Sequence, residues 1–412
     1  MLDTEFLVLN RFSRNAPLIA GGIYLLLSLS LLLAASGRIS SLTSDLDFYN
    51  HLVVSVIPGS VSDLALEIEE ASRRTEFFDQ IGWTATPFYS FLVLLPVWFF
   101  GSEILLWITG VLVGLLSIGS AWVILRRSFP SMPDSWCGIA IVLFALNFNF
   151  IVDSVGVSTM SVAALFVLAG FVVNDRWKRA LLFALAAMTR ANFAVAFVAL
   201  VFALALIRPR GAKKLLIDFV PAIVVFVVFY KYFYSTYPGG GLNYLIYASH
   251  QGIDYAVSAS KLVSNRILNI QDDALTASFG LNGLVRLITD FESLSLIINL
   301  VVLKASVTLG FVHEKLFQTE YGIYAAKIWR TLYFVLVALP GFYAASMLPF
   351  SGSLTRIERT AFLWAFAYLL LNSLLIGDPR YLIGMHLLLI ISLLLMIKSV
   401  IFSSSYFVRE CQ

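Results

Sequence analysis

Long apolar runs alternate with short polar breaks along this chain, and the runs have the length of bilayer crossings. A crossing takes ~20 mostly apolar residues. Candidate runs cover residues 17–36, 103–125, 136–151, 157–173, 215–233, 331–348, 361–376 and 381–400. The stretch 180–207 is apolar except around Thr189-Arg190-Ala191-Asn192. It is too long for one crossing and predicts two short helices joined at Arg190. The first run follows Arg11 and Arg14 and exceeds a signal-peptide core. No convincing small-residue cleavage site follows it, so it reads as an uncleaved anchor. Two apolar segments, 86–101 and 293–312, are ambiguous, the second because Lys304 lies in its middle.

Charge decides the arrangement. Short cytoplasmic loops collect Lys and Arg. With a cytoplasmic N-terminus and both ambiguous segments not crossing, four groups fall inside. They are Arg126/Arg127, Arg176/Lys178/Arg179, Arg208/Arg210/Lys213/Lys214 and Arg356/Arg359. If both segments crossed, the nine basic residues of the first three groups would move outside. A lysine at mid-bilayer also costs ~2.5–3.5 kcal/mol on insertion scales. The expectation is therefore an all-α polytopic membrane protein with about ten transmembrane helices and both termini cytoplasmic. The ambiguous pair then becomes outer-leaflet juxtamembrane or re-entrant helices. The whole of 1–412 reads as one integral membrane domain. Two large outer regions interrupt it, a first loop at 37–86 and a second at 235–330.

Composition agrees and excludes other classes. Apolar residues make up 59% and charged residues 13%, with a mean hydropathy of +0.88. Soluble domains need roughly 25% charged residues to face water, so lipid is this chain's solvent. A net charge of +3, with the basic residues in short clusters, argues against nucleic acid as a partner. Only Cys137 and Cys411 occur, which gives no disulfide framework and no thiolate metal site. The four histidines (His51, His250, His313, His386) form no H-x-x-x-H pair, so a histidine–zinc hydrolase is not expected. Polar interfacial roles suffice for all of them except His51.

Chemistry then belongs on the outer face. The first outer loop opens Ser44-Asp45-Leu46-Asp47-Phe48-Tyr49-Asn50-His51. Its carboxylates are either a solvated pair or a general base facing an acceptor hydroxyl. Asp63, Glu67, Glu69, Glu70, Arg73 and Arg74 read as the wet face of an interfacial helix. Arg190 and Arg380 fall outside, against the positive-inside bias. Each either snorkels at the interface or binds an anionic lipid head group in the bidentate geometry that guanidinium offers phosphate.

Four local patterns, in this order, resemble the GT-C superfamily of membrane glycosyltransferases. The nearest branch is that of protein O-mannosyltransferases and lipid A aminoarabinose transferases. Asp45-Leu46-Asp47-Phe48-Tyr49 is similar to its D-x-x-x-Y loop opening. Thr86-Pro87-Phe88-Tyr89-Ser90-Phe91-Leu92 through Phe100-Gly101 is similar to P-x-Y-x-x-L…F-G. Met188-Thr189-Arg190-Ala191-Asn192 resembles L-T-R-P-N, and Asp378-Pro379-Arg380-Tyr381-Leu382 resembles the late R-Y-L motif. Two features depart from the family. Ala85-Thr86-Pro87 replaces a Lys or His before a Pro-Pro pair, and Ser158-Thr159 stands where the second outer loop often carries an acid, Asp153 lying earlier.

The resemblance implies a glycosyltransferase that moves a sugar from a polyprenyl-phosphate donor to an acceptor hydroxyl, with inversion. The acceptor would be a lipid, a glycan or a protein. It implies Asp45 as the catalytic carboxylate, with Asp47 the rival. Tyr49 and His51 would be substrate contacts, and Arg190, Arg380 and Tyr381 would contact the donor. No organic cofactor is implied, and the only metal considered is a divalent cation at the first outer loop. The location would be a bacterial inner membrane, with the site on the non-cytoplasmic face. The rivals are a polysaccharide polymerase using two lipid-linked substrates, a lipid or solute transporter, and a catalytically silent scaffold. Transporters tend to show paired repeats and midplane polar residues, whereas this sequence has no repeat.

Overall fold

The computed structural model describes residues 2–34, 103–189, 192–217, 328–350, 354–375 and 384–410, with single positions at 220, 224, 298 and 302. Every regular element among them is helical. In chain order they are α1 (Leu2–Ala34), α2 (Glu103–Ser128), α3 (Asp134–Ala145), α4 (Phe148–Val155), α5 (Thr159–Val172), α6 (Arg176–Thr189) and α7 (Asn192–Ile207). After the gap, a π-helical turn (Phe334–Ala338) leads into α8 (Leu339–Met347) and a 3-10 turn (Leu348–Phe350). α9 (Arg356–Leu375) and α10 (His386–Glu410) complete the set.

Three helical stretches are long and apolar enough to cross a bilayer: Phe12–Leu33, Ile104–Ser128 and Ile328–Phe350. A fourth would be the pair α3 and α4, taken as one broken span. The outward positions of these helices are apolar, as a membrane solvent would require: Leu18, Leu26, Leu33, Leu112 and Leu116 are all exposed. Ten crossings are not all visible in this set. Of 215–233 only a few positions are described, and 37–102 lies outside the described residues together with almost all of 235–327. The ambiguous segment 86–101 and Lys304 of the segment 293–312 lie outside them too.

The segment 136–151, expected as one continuous helix, is broken instead. α3 and α4 meet at an angle of 57°. The cause is Asn147, whose Oδ1 accepts from the backbone N–H of Asn149 at 3.0 Å and of Phe150 at 3.3 Å. A side-chain acceptor at that place starts a new helix rather than prolonging the old one. The expected junction at Arg190 itself lies outside the described residues; α6 ends at Thr189 and α7 begins at Asn192.

Packing brings α1 against α3 and α2, α5 between α2 and α6, α7 against α9, and α8 against α10. Small residues permit the closest approaches. Gly341 of α8 lies against the backbone of Leu389 on α10, and Ser392 Oγ donates to the Gly341 carbonyl at 2.7 Å. No side chain would fit there, which is how helices approach each other in lipid.

Basic residues gather at one end of the bundle. Arg126 pairs with Asp134. Arg127 donates to the Val172 carbonyl at 3.0 Å, and Arg179 Nη2 to the Val173 carbonyl at 2.8 Å. Lys398 reaches the Ser131 carbonyl at 2.8 Å. The buried Glu358 accepts from Ser131 and, at 2.9 Å, from the backbone N–H of Thr355. The α2–α3 turn, the α5–α6 turn, the start of α9 and the later part of α10 therefore share one polar end.

Candidate functional site

The direction of each helix follows from that anchored end. α6 has its first turn there, held through Arg179, so its last residue Thr189 lies away from it. α10 reaches it through Lys398, so its first residue His386 also lies toward the far end. α9 starts there and runs away from it. The far end thus collects the residues next to Arg190 and the helix that follows Arg380.

The far half of the bundle holds an unusually polar interior for lipid. Asn147, Asp153, Ser154, Ser158, Thr159, Ser161, Thr189, Arg330 and His386 are all buried. Some of these groups serve the backbone beside the helix breaks. In a bilayer such groups must find protein partners. The Leu146 carbonyl, freed at the α3–α4 break, accepts from Trp329 Nε1 at 3.0 Å. The Asp153 carbonyl accepts from the backbone N–H of Ser158 at 2.8 Å. Ser158 in turn caps α5, its Oγ accepting from the N–H of Ser161 at 3.1 Å. Between them Val157 sits fully buried at φ 47°, a left-handed conformation costing a β-branched residue roughly 1–2 kcal/mol. Tyr24 of α1 ties α2 to α4: its hydroxyl donates to the Gly110 carbonyl at 3.2 Å and lies 2.8 Å from Ser154 Oγ.

Asn147, Tyr333 and His386 differ from the rest. The rings of Tyr333 and His386 meet edge to face with centroids 5.6 Å apart. Trp329, one turn before Tyr333, is bonded to the residue preceding Asn147. The Tyr333 hydroxyl lies within reach of the Asn147 side chain. Yet Asn147 Nδ2, the Tyr333 hydroxyl and both ring nitrogens of His386 are buried and complete no hydrogen bond. Each such group costs roughly 1–3 kcal/mol if left so.

The expected site residues Asp45, Asp47, Tyr49, His51, Arg190, Arg380 and Tyr381 all lie outside the described residues. Their described neighbours are Thr189, whose hydroxyl donates to the Leu185 carbonyl at 2.7 Å, and Gly384, which packs toward Ala164 of α5. Among the described residues no group of three or more His, Cys, Asp or Glu could hold a metal ion, and the first outer loop falls outside that set. Sequence reasoning gave no role to Asn147 or Tyr333, and to His386 only that of an isolated polar or interfacial histidine. A signal was present in Asn147-Phe148-Asn149, two amides inside an apolar run, since polar residues at membrane depth are costly and rarely idle.

No protein-family model, no curated protein and no solved structure matches the chain.

Proposed function

We propose that this chain is a membrane glycosyltransferase of the GT-C kind. It transfers a sugar from a polyprenyl-phosphate donor to an acceptor hydroxyl on the non-cytoplasmic face. The observation that carries the reading is the direction of α6 and α10. Both have basic residues toward one end, and at the other lie Thr189 and His386, the helix ends that border in sequence the two arginine motifs, Thr189-Arg190-Ala191-Asn192 and Asp378-Pro379-Arg380-Tyr381. A positive-inside membrane would make the first end cytoplasmic. The arginines then stand on the opposite face, where a lipid-linked donor presents its phosphate.

Departure of a lipid phosphate leaves an oxocarbenium-like sugar while negative charge grows on the leaving oxygen. Arg190 and Arg380 stabilise that charge where it develops. Tyr381 adds a hydroxyl contact. Asp45, or Asp47 in its place, takes the proton of the acceptor hydroxyl held by Tyr49 and His51. In-line attack inverts the anomeric centre, as in inverting glycoside hydrolysis with a hydroxyl in place of water.

The test is donor binding and transfer by purified protein with a panel of polyprenyl-phosphate sugars. Arg380→Ala is expected to weaken donor binding by roughly 10- to 100-fold, the loss of a charge-assisted bond worth about 1.5–3 kcal/mol. Equal affinity in wild type and in both Arg380→Ala and Arg190→Ala would remove the donor site. Orientation is checked separately by cysteine labelling of intact cells. Cysteines placed at 126, 179 and 210 should be shielded from an impermeant reagent, and those at 45, 190 and 380 should react. Labelling of position 126 from outside would invert the topology and exclude a non-cytoplasmic site.

A further inference from the structure

We infer that Asn147, Tyr333 and His386 form a niche that binds a hydroxyl of a neutral sugar, the donor's own sugar under the function proposed above. The three sit on separate elements, at the α3–α4 break, before α8 and at the start of α10, and are brought together in the far half of the bundle by the Tyr333–His386 ring contact and the Trp329–Leu146 hydrogen bond. Their side chains are 0%, 8% and 0% exposed. Asn147 Oδ1 is already spent on capping α4, so the amide offers only its two N–H donors. The Tyr333 hydroxyl can donate and accept, and a neutral imidazole gives one donor and one acceptor. The open capacity of these three groups is therefore mixed, with more donors than acceptors and no formal charge of their own, while the buried, already engaged Arg330 lies one turn before Tyr333.

That inventory selects the guest. A carboxylate or phosphate would take the donors, but it has no proton to give and would set its charge against the imidazole lone pair. An aliphatic guest would leave every polar atom unpaired. A hydroxyl accepts from the Asn147 amide or Tyr333 and donates to the imidazole nitrogen, so it satisfies the set in one step. Adjacent sugar hydroxyls do this twice. The helix break explains the state of Asn147: a continuous α3–α4 helix would hold it in a regular turn, without its oxygen turned to cap α4. The phosphate subsite at Arg190 and Arg380 reads charge, whereas this niche reads hydroxyls.

The experiment uses the full chain in lipid nanodiscs. It compares binding of polyprenyl phosphates carrying different neutral hexoses with binding of the same polyprenyl phosphate carrying none. The variants are Tyr333→Phe and His386→Phe, which keep ring shape, and Asn147→Ser, which keeps the helix cap. Each is expected to lose roughly three- to tenfold of the affinity gained from the sugar, with the sugar-free lipid bound as in wild type. Thermal unfolding is measured on the same samples. A sugar-dependent gain that survives in all three variants overturns the niche, whether the variants melt higher (a dry, unsatisfied site) or lower (a structural water). That result leaves the glycosyltransferase reading standing. Absence of any sugar-dependent gain in wild type overturns the niche as well. Binding of neither lipid by wild type overturns both, and a gain lost in the variants of a protein that never transfers sugar supports the niche alone.

Discussion

Sugar transfer by Asp45→Asn is expected to fall roughly 10²- to 10⁴-fold below wild type, the usual contribution of a positioned general base. Donor affinity should stay nearly unchanged. The substitution keeps the size and planarity of the side chain and removes only its ability to take a proton. Asp45 is preferred to Asp47 for its spacing to Tyr49, which matches the D-x-x-x-Y opening. Asp47 is free to orient a neighbouring donor or to help hold a divalent cation. Initial rates with a saturating lipid-linked donor, together with donor affinity measured separately, distinguish these roles. Loss of turnover in Asp47→Asn alone would move the base two residues along the loop. Wild-type turnover in both single variants and in the double variant would eliminate carboxylate catalysis and favour transport or a silent scaffold. A rate lost in step with donor affinity would instead make Asp45 a binding residue.

Much of the helical frame is legible in the sequence because a bilayer reads length and hydrophobicity directly. The runs at 103–125, 157–173, 331–348 and 361–376 fall on helical stretches, and most of 381–400 falls on α10, whereas Arg190 lies outside the described residues. The break at Asn147 was not read, because a hydropathy window averages one amide into an apolar run. The break depends on where that amide's oxygen points, and on Trp329, 183 positions away, being placed to satisfy the Leu146 carbonyl. Such pairing is set by packing rather than by local pattern. His386 was passed over for the same reason. With no second histidine at a ligand spacing it carries no motif, and only Tyr333, brought against it from another helix, gives it a context. The candidate catalytic loop is the opposite case. Asp45 and Asp47 are conspicuous in sequence, and no packing among the described residues bears on them.

Gly110→Ala is expected to destabilise the protein by about 2–3 kcal/mol, a large effect for one methyl group. Gly110 is buried in α2, and a β-carbon there would collide with the backbone carbonyls of Ser154 and Val155 in α4. Neither carbonyl can move as a side-chain tip could, so the helices must part. Parting them stretches the bond from the Tyr24 hydroxyl to the Gly110 carbonyl and its contact with Ser154, which tie α1, α2 and α4 together. The same helix supplies its own control. Gly119 is exposed, with nothing within 4 Å of an added β-carbon, so Gly119→Ala should be neutral or mildly stabilising. Thermal unfolding of the two variants in one detergent makes the comparison, since both change Gly to Ala in α2. Equal melting temperatures would mean that α2 does not approach α4 as closely as the fold requires. A melting loss confined to Gly110→Ala, accompanied by loss of sugar-dependent donor binding, would tie the α2–α4 contact to the polar interior that begins at Asn147.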